Sequence, residues 1–119
     1  MLINLSNHPS SKWSKEQKET ANQQYGIIED MEFPQINPHW SVDDVQMLAI
    51  QYADDIEKEK PVAVHLMGEL TFCFELASLL KVKGILCIAS TTERVAEDKG
   101  DQKISTFKFV QFRPYFMLQ

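Results

Sequence analysis

Glycine, cysteine and histidine are scarce in this chain of 119 residues, which holds 4, 2 and 3 of them. No glycine-rich fingerprint follows the first apolar segment, and no phosphate loop ending in Gly-Lys-Ser/Thr occurs anywhere, so the ordinary means of holding a dinucleotide or nucleoside triphosphate are missing. Cys73 and Cys87 have neither the close spacing of a redox or zinc pair nor the number of a disulfide framework, and both are expected to be reduced and buried. His8, His39 and His65 lack metal-ligand spacing and have no cysteine partner nearby; no metal site and no cofactor is expected. Long apolar runs are missing too. The longest, Pro61 to Met67 and Ile85 to Ala89, fall far short of the roughly 20 residues that span a bilayer. The start, Met1-Leu-Ile-Asn-Leu-Ser-Asn-His-Pro9, has no basic stretch and no small-residue cleavage site, so a cytoplasmic protein without membrane contact is the expectation. Basic residues are in deficit, 12 against 17 acidic ones, for a net charge of -5. That balance argues against a protein that coats long nucleic acid, whose binding rests on neutralised phosphates. It leaves a small anionic ligand open.

What is present is the composition of an ordinary globular protein, 44% hydrophobic and 24% charged, over a length that makes one domain from residue 1 to 119. Leu2 to Ser6 reads as a short strand, followed by residues that end regular structure. Ser14 with Gln17 forms a capping box that opens a first helix, and Gly26 stops it. Ile27 to Phe33 reads as a second strand, ended by Pro34. Ser41 with Asp44 caps a second helix, in which Val42, Val45, Ala49, Tyr52 and Ile56 share one face. Its other face is acidic: Asp43 to Glu59 holds six acids against Lys58, a balance of -5, and the rest of the chain has 11 of each sign. A charge run of this kind reads first as a solvated face.

Pro61 to Met67 is a continuous apolar strand, followed by Gly68, a third helix from about Glu69 to Val82, and a fourth strand from Ile85 to Ala89. Thr91 to Ser105 reads as a long polar loop or hairpin connection before a last strand, Phe107 to Phe112, antiparallel at the edge. The alternation predicts a small α/β sandwich with three helices and a mostly parallel sheet of order 2-1-3-4, the last strand beside the fourth. Ligands of such sheets gather at the carboxyl ends of the strands where the order reverses, here between the first and third.

Those ends carry hydroxyls, helix starts and a few cations: Asn7, Ser10, Ser11 and Lys12 before the first helix, Gly68, Glu69 and Thr71 at the third, and Ser90, Thr91, Thr92 and Arg94 after the fourth strand. Helix starts present free N-H groups and partial positive charge, so their convergence predicts a phosphate site. Taken singly these residues are ordinary; serine and threonine cap helices, and Glu69 complements a helix dipole. His65, inside an apolar strand, reads as a hydrogen-bonded core histidine. His8 lies in a loop at the switch point, where an imidazole can act as acid or base. Trp13 and Trp40 read as packing residues, with Trp13 near enough to the first loop to stack on a base.

Four segments in order, Leu2-Ile-Asn-Leu-Ser-Asn-His-Pro9, His65-Leu-Met-Gly-Glu69, Ala89-Ser-Thr-Thr-Glu-Arg94 and Phe109-Val-Gln-Phe-Arg-Pro-Tyr115, span most of the chain. Together they resemble the small Rossmann-like CRISPR-associated proteins of type III systems, the minimal ring nucleases and binders of cyclic oligoadenylate. The resemblance implies a homodimer holding a cyclic RNA second messenger across its twofold axis, for sequestration or for cleavage. Cleavage would be metal-independent attack by a ribose 2′-hydroxyl on its adjacent phosphorus, with Arg94 and Lys12 stabilising charge and His8 as acid or base. The first helix lies alone on its face and its apolar stripe is thin, so part of that face is expected to need a partner. Two other classes stay in view: an enzyme or sensor of a mononucleotide or sugar phosphate at the same loops, and a protein-interaction module using the acidic helix.

Overall fold

A computed structural model describes residues 1–118. The chain runs β1 (Leu2–Ser6), α1 (Lys15–Tyr25), β2 (Ile28–Glu32), α2 (Val42–Glu59), β3 (Ala63–Met67), α3 (Leu70–Val82), β4 (Leu86–Lys99) and β5 (Gln102–Pro114). The sheet order is β2-β1-β3-β4-β5. The first four strands are parallel, and β5 runs antiparallel to β4. This is the predicted small Rossmann-like α/β architecture, and its order reverses between β1 and β3.

The two faces of the sheet differ. Ile3, Leu5, Val64, Leu66 and Cys87 point toward α2 and α3, where Val45, Ala49, Ile56, Phe72, Leu76 and Leu80 complete the larger core. Residues of alternate parity, Leu2, Ala63 and Ile88, point toward α1 and pack with Trp13, Ala21 and Phe112. Helix α1 is thus alone on its face, where Phe112 of β5 is buried and Phe109 partly buried while Phe107 stays exposed. The α2 cap is a complete capping box: the Asp44 N-H donates to Ser41 Oγ, and the Ser41 N-H donates to the Asp44 carboxylate. At α1 the Ser14 hydroxyl oxygen accepts from the Gln17 N-H, and only that half of the expected box forms. Both cysteines are buried and unpaired, and burial pushes the Cys73 thiol up to about 11 and the Cys87 thiol up to about 12.

Of the two readings of Thr91 to Ser105, loop or hairpin connection, the structure has the hairpin, with strands longer than expected. The segment is strand, not loop, continuing β4 to Lys99 and resuming as β5 at Gln102, with Gly100 at φ 63° making the turn. The outer half of this hairpin stands away from both helix layers, so it lacks the apolar alternation that announces a half-buried strand. The register shifts between Thr91 and Thr92, which pair with Gln111 and Phe109. The extra residue, Val110, is a bulge that carries Phe109 and Phe107 onto the same face as Phe112.

Phe72 is fully buried, with the rings of Phe33 and Tyr52 meeting it edge-on at 5.4 Å each. Phe72→Ala is expected to cost about 3–5 kcal/mol in urea unfolding. A loss under about 1 kcal/mol would contradict its place as the centre of the larger core.

Candidate functional site

The loop after β1 is folded over the end of the sheet by short-range bonds. Pro9 sets an extended entry, the Lys12 N-H donates to the Pro9 carbonyl at 2.9 Å, and the Trp13 N-H donates to the Ser10 carbonyl at 3.1 Å, giving a 3-10 turn over Ser10–Lys12. The His8 carbonyl ties this turn down. It accepts from Asn4 Nδ2 at 2.9 Å and from Trp13 Nε1 at 3.2 Å, while the Ser6 hydroxyl, 3.0 Å away, has its single proton directed at the nearer Asn4 Oδ1, at 2.8 Å. The Trp13 ring is thereby laid against the sheet, 5.0 Å from the His65 ring and edge-on to it.

Beneath the loop a polar row crosses three strands, since Asn4 is in register with Asp30 of β2 and with His65 of β3. Asn4 Nδ2 donates to Asp30 Oδ1 at 2.8 Å, and Asn4 Oδ1 lies 2.9 Å from His65 Nδ1. Because the Asn4 amide nitrogen already faces two acceptors, its oxygen faces the ring, and an amide oxygen only accepts. The proton of a neutral His65 is therefore on Nδ1, donated to Asn4, and Nε2 carries a lone pair. Burial, and then the nearby His8, lower the His65 pKa to about 4, so the ring is neutral at pH 7. For Asp30, burial works to raise the pKa, but hydrogen bonds from Asn4 and from the N-H and hydroxyl of Ser10 outweigh it and hold the carboxyl below its usual value.

Above the row is an open cleft of about 480 Å³ at the carboxyl ends of β1 and β3, where β4 runs on past its pairing with β3. Its floor includes His65 and Ser6, and the α1 side gives Lys12, Trp13, Ser14 and Gln17. The hairpin wall gives Ser90, Thr92, Phe107 and Phe109, and His8 closes the loop side. No carboxylate lines it, and Lys12 is its formal cation. The acidic helix α2 packs on the opposite face of the sheet.

Four of the residues singled out by sequence, His8, Lys12, Ser90 and Thr92, meet in this cleft. The others are placed elsewhere. Ser10 binds Asp30 through its N-H and hydroxyl, Ser11 gives its carbonyl to Lys18 Nζ, and Asn7 lies in a separate groove beside Asp30 and Glu32. Thr91 faces the other side of the sheet and donates to the Gln111 carbonyl. Arg94 lies farther out on the hairpin, in register with Phe107, with Nε and Nη2 at 3.2 and 2.9 Å from Ser105 Oγ. Gly68, Glu69 and Thr71 are not part of the cleft, and the start of α3 offers no vacant anion seat. The Glu69 carboxylate accepts from the Thr71 and Phe72 N-H groups and from the Thr71 hydroxyl. These bonds, the Phe72 N-H first, hold its own pKa down. Gly68 is packed under Phe33, whose ring a Cβ would enter.

A family model described as "Uncharacterized protein MJ1673 family" matches residues 1–113. The chain belongs to the MJ1673 family. No curated protein and no solved structure matches it. The matched span of this MJ1673-family chain contains every residue lining the cleft and the whole row from Asp30 to His65.

Sequence reasoning read His65 as a hydrogen-bonded core histidine, as its burial and its bond with Asn4 bear out, but did not place it on the cleft; it missed the wall residues Phe107 and Phe109, which the bulge turns toward the cleft. The signal that could have found His65 is register: in a parallel pair of strands, Asn4 and His65 occupy corresponding positions of Leu2–Ser6 and Ala63–Met67.

The buried ring makes stability depend on pH with a defined sign. An unfolded histidine binds its proton below 6.5 and folded His65 only below about 4, so the unfolded chain carries more protons between those values. Stability should fall as pH drops through that window, by at most about 1.4 kcal/mol per pH unit. The lowered Asp30 and Glu69 carboxyls add losses only below their ordinary values of 3.8 and 4.5. In urea titrations His65→Phe is expected to flatten the slope between about pH 4.5 and 6.5. An unchanged slope would contradict a buried neutral ring.

Proposed function

We propose that the cleft binds the nucleotides of a cyclic oligoadenylate second messenger, that two copies of the chain hold one ring, and that the ring is opened by metal-independent attack of a ribose 2′-hydroxyl. The observation that carries this reading is the joint lining of one cleft by a cation without a neighbouring carboxylate, two imidazoles and aromatic walls. Each part meets one part of a nucleotide. Lys12 and the start of α1, with the Ser14 and Gln17 side chains, suit a phosphate; Phe107 and Phe109 offer faces for a base; Ser90 and Thr92 supply hydroxyls between them. The second imidazole supplies what the sequence alone lacked, a partner for His8 in acid-base chemistry.

Size supports the twofold arrangement. A cleft of about 480 Å³ lies in the lower half of the range for small-ligand pockets and accommodates part of a ring, not all of it. Phe107, 70% exposed on the rim, leaves the hairpin side open for a second copy to cover. Paired clefts then turn weak helix-end and hydroxyl contacts into joint binding of repeated phosphates.

Thermal shift with cyclic oligoadenylates of several ring sizes, the matching linear oligomers and AMP tests the reading. A cyclic ring is expected to stabilise the pair of chains by roughly 2.7 kcal/mol at about 100 times its Kd, with calorimetry giving one ring per two chains. Lys12→Ala is expected to weaken that binding about tenfold or more, as the loss of a charge-assisted contact. Equal stabilisation by AMP, one per chain, would replace the messenger with a mononucleotide. No stabilisation by any of them would remove the ligand-binding reading.

A further inference from the structure

One polar atom on the cleft floor has no partner. His65 is 2% exposed, and among the described residues its Nε2 is the buried side-chain nitrogen or oxygen without a hydrogen bond. Buried polar groups are almost always satisfied, and an unmet one favours a ligand that supplies the missing group. With the Nδ1 proton committed to Asn4, Nε2 can only accept, so it selects a hydroxyl or N-H over a phosphate oxygen. Beside the phosphates of a cyclic oligoadenylate, the ribose 2′-hydroxyl is such a donor.

We infer that His65 Nε2 accepts the hydrogen bond of a ribose 2′-hydroxyl and takes its proton as that oxygen attacks the neighbouring phosphorus. This rests on the proposed reading of the cleft and assigns its base to a residue of the floor. In the step, the 2′-oxygen to phosphorus bond forms and the bond from phosphorus to the 5′-oxygen breaks. The hydroxyl proton passes to Nε2, and the departing 5′-oxygen receives a proton from His8, the second imidazole of the same cleft. The products are a 2′,3′-cyclic phosphate end and a 5′-hydroxyl end, and exchange with water resets both rings.

The surroundings suit the role. Asn4, itself held by Asp30 and the His8 carbonyl, fixes the tautomer and the plane of the ring, as an orienting group does for a catalytic histidine. The charged or titratable groups facing His65 are His8 and Lys12 across the cleft and Asp30 behind Asn4; Ser90, Thr92, Phe109 and Phe112 face it from β4 and β5. Nε2 is covered, with the Trp13 ring centred 5.0 Å and the Phe112 ring 5.7 Å from the imidazole, so a ligand hydroxyl reaches it as this packing opens. The contact is then sealed from water, where a hydrogen bond discriminates most strongly.

The test compares the wild-type chain and His65→Phe on a cyclic oligoadenylate and on the same ring made with 2′-deoxyribose. Phenylalanine suits the aromatic surroundings, and Asn4 Oδ1 keeps its bond from the Ser6 hydroxyl at 2.8 Å. Wild type is expected to bind the ribose ring about tenfold or more tighter than the deoxyribose ring. It is also expected to open the ribose ring to a product ending in a cyclic phosphate. His65→Phe is expected to lose the preference and to slow cleavage about 100-fold or more while still binding both rings. Equal wild-type affinity for the two rings overturns the inference without any variant. Wild-type rates in His65→Phe, or tight binding with no cleavage by wild type, overturn it as well. In each of those cases binding of the ring stands, whereas failure of wild type to bind either ring overturns the reading of the cleft itself.

Discussion

The primary amide of Asn4 is the fixed point on which the site depends. Its nitrogen faces the Asp30 carboxylate and the His8 carbonyl, and its oxygen faces the His65 ring and the Ser6 hydroxyl. An amide satisfied on both ends has one orientation, and that orientation dictates the tautomer of His65 and the course of the loop after β1. The arrangement exists because three strands place Asp30, Asn4 and His65 in one row. A slip of β1 by one residue would turn Asn4 toward α2 and α3 and leave the imidazole without an acceptor.

The sheet divides its tasks between its faces. Toward α2 and α3 the strands present Ile3, Leu5, Val64 and Leu66, closed by Phe72, and this side carries most of the apolar burial. Toward α1 the same strands present Asn4, Ser6 and His65 in their carboxyl halves, which a core of small strands tolerates only because every donor and acceptor but one finds a partner. The net charge follows the same division. The acidic surplus of Asp43 to Glu59 sits on a helix across the sheet from the cleft, whose own lining has Lys12 and no carboxylate.

The architecture was legible because its signals are local and repeated. Apolar runs in β1, β3 and β4, the Ser41-Asp44 cap and the glycine after α1 together give the alternation, and the crossover rule then gives the strand order. The hairpin was one of two readings of Thr91 to Ser105, but the length of its strands was not legible, because this segment projects beyond the helices and has nothing to bury. The site was half legible. Topology alone points to the end of the sheet that holds His8 and Lys12 after β1, and Ser90 and Thr92 where β4 runs past its pairing with β3. It could not show that Glu69 folds back onto its own helix, that Thr91 and Arg94 are drawn off the cleft, or that a bulge at Val110 turns Phe107 and Phe109 inward. Nor could an apolar strand reveal that its one histidine is satisfied on one nitrogen and bare on the other.

The most direct measurement is heteronuclear NMR of the imidazole nitrogens of His65, at neutral pH, with and without a cyclic oligoadenylate. The expected result is a neutral ring with its proton on Nδ1, and an Nε2 signal that moves when the ligand is added. A proton on Nε2, a charged ring at neutral pH, or an Nε2 signal indifferent to every ring tried would contradict the central role of the row from Asp30 through Asn4 to His65.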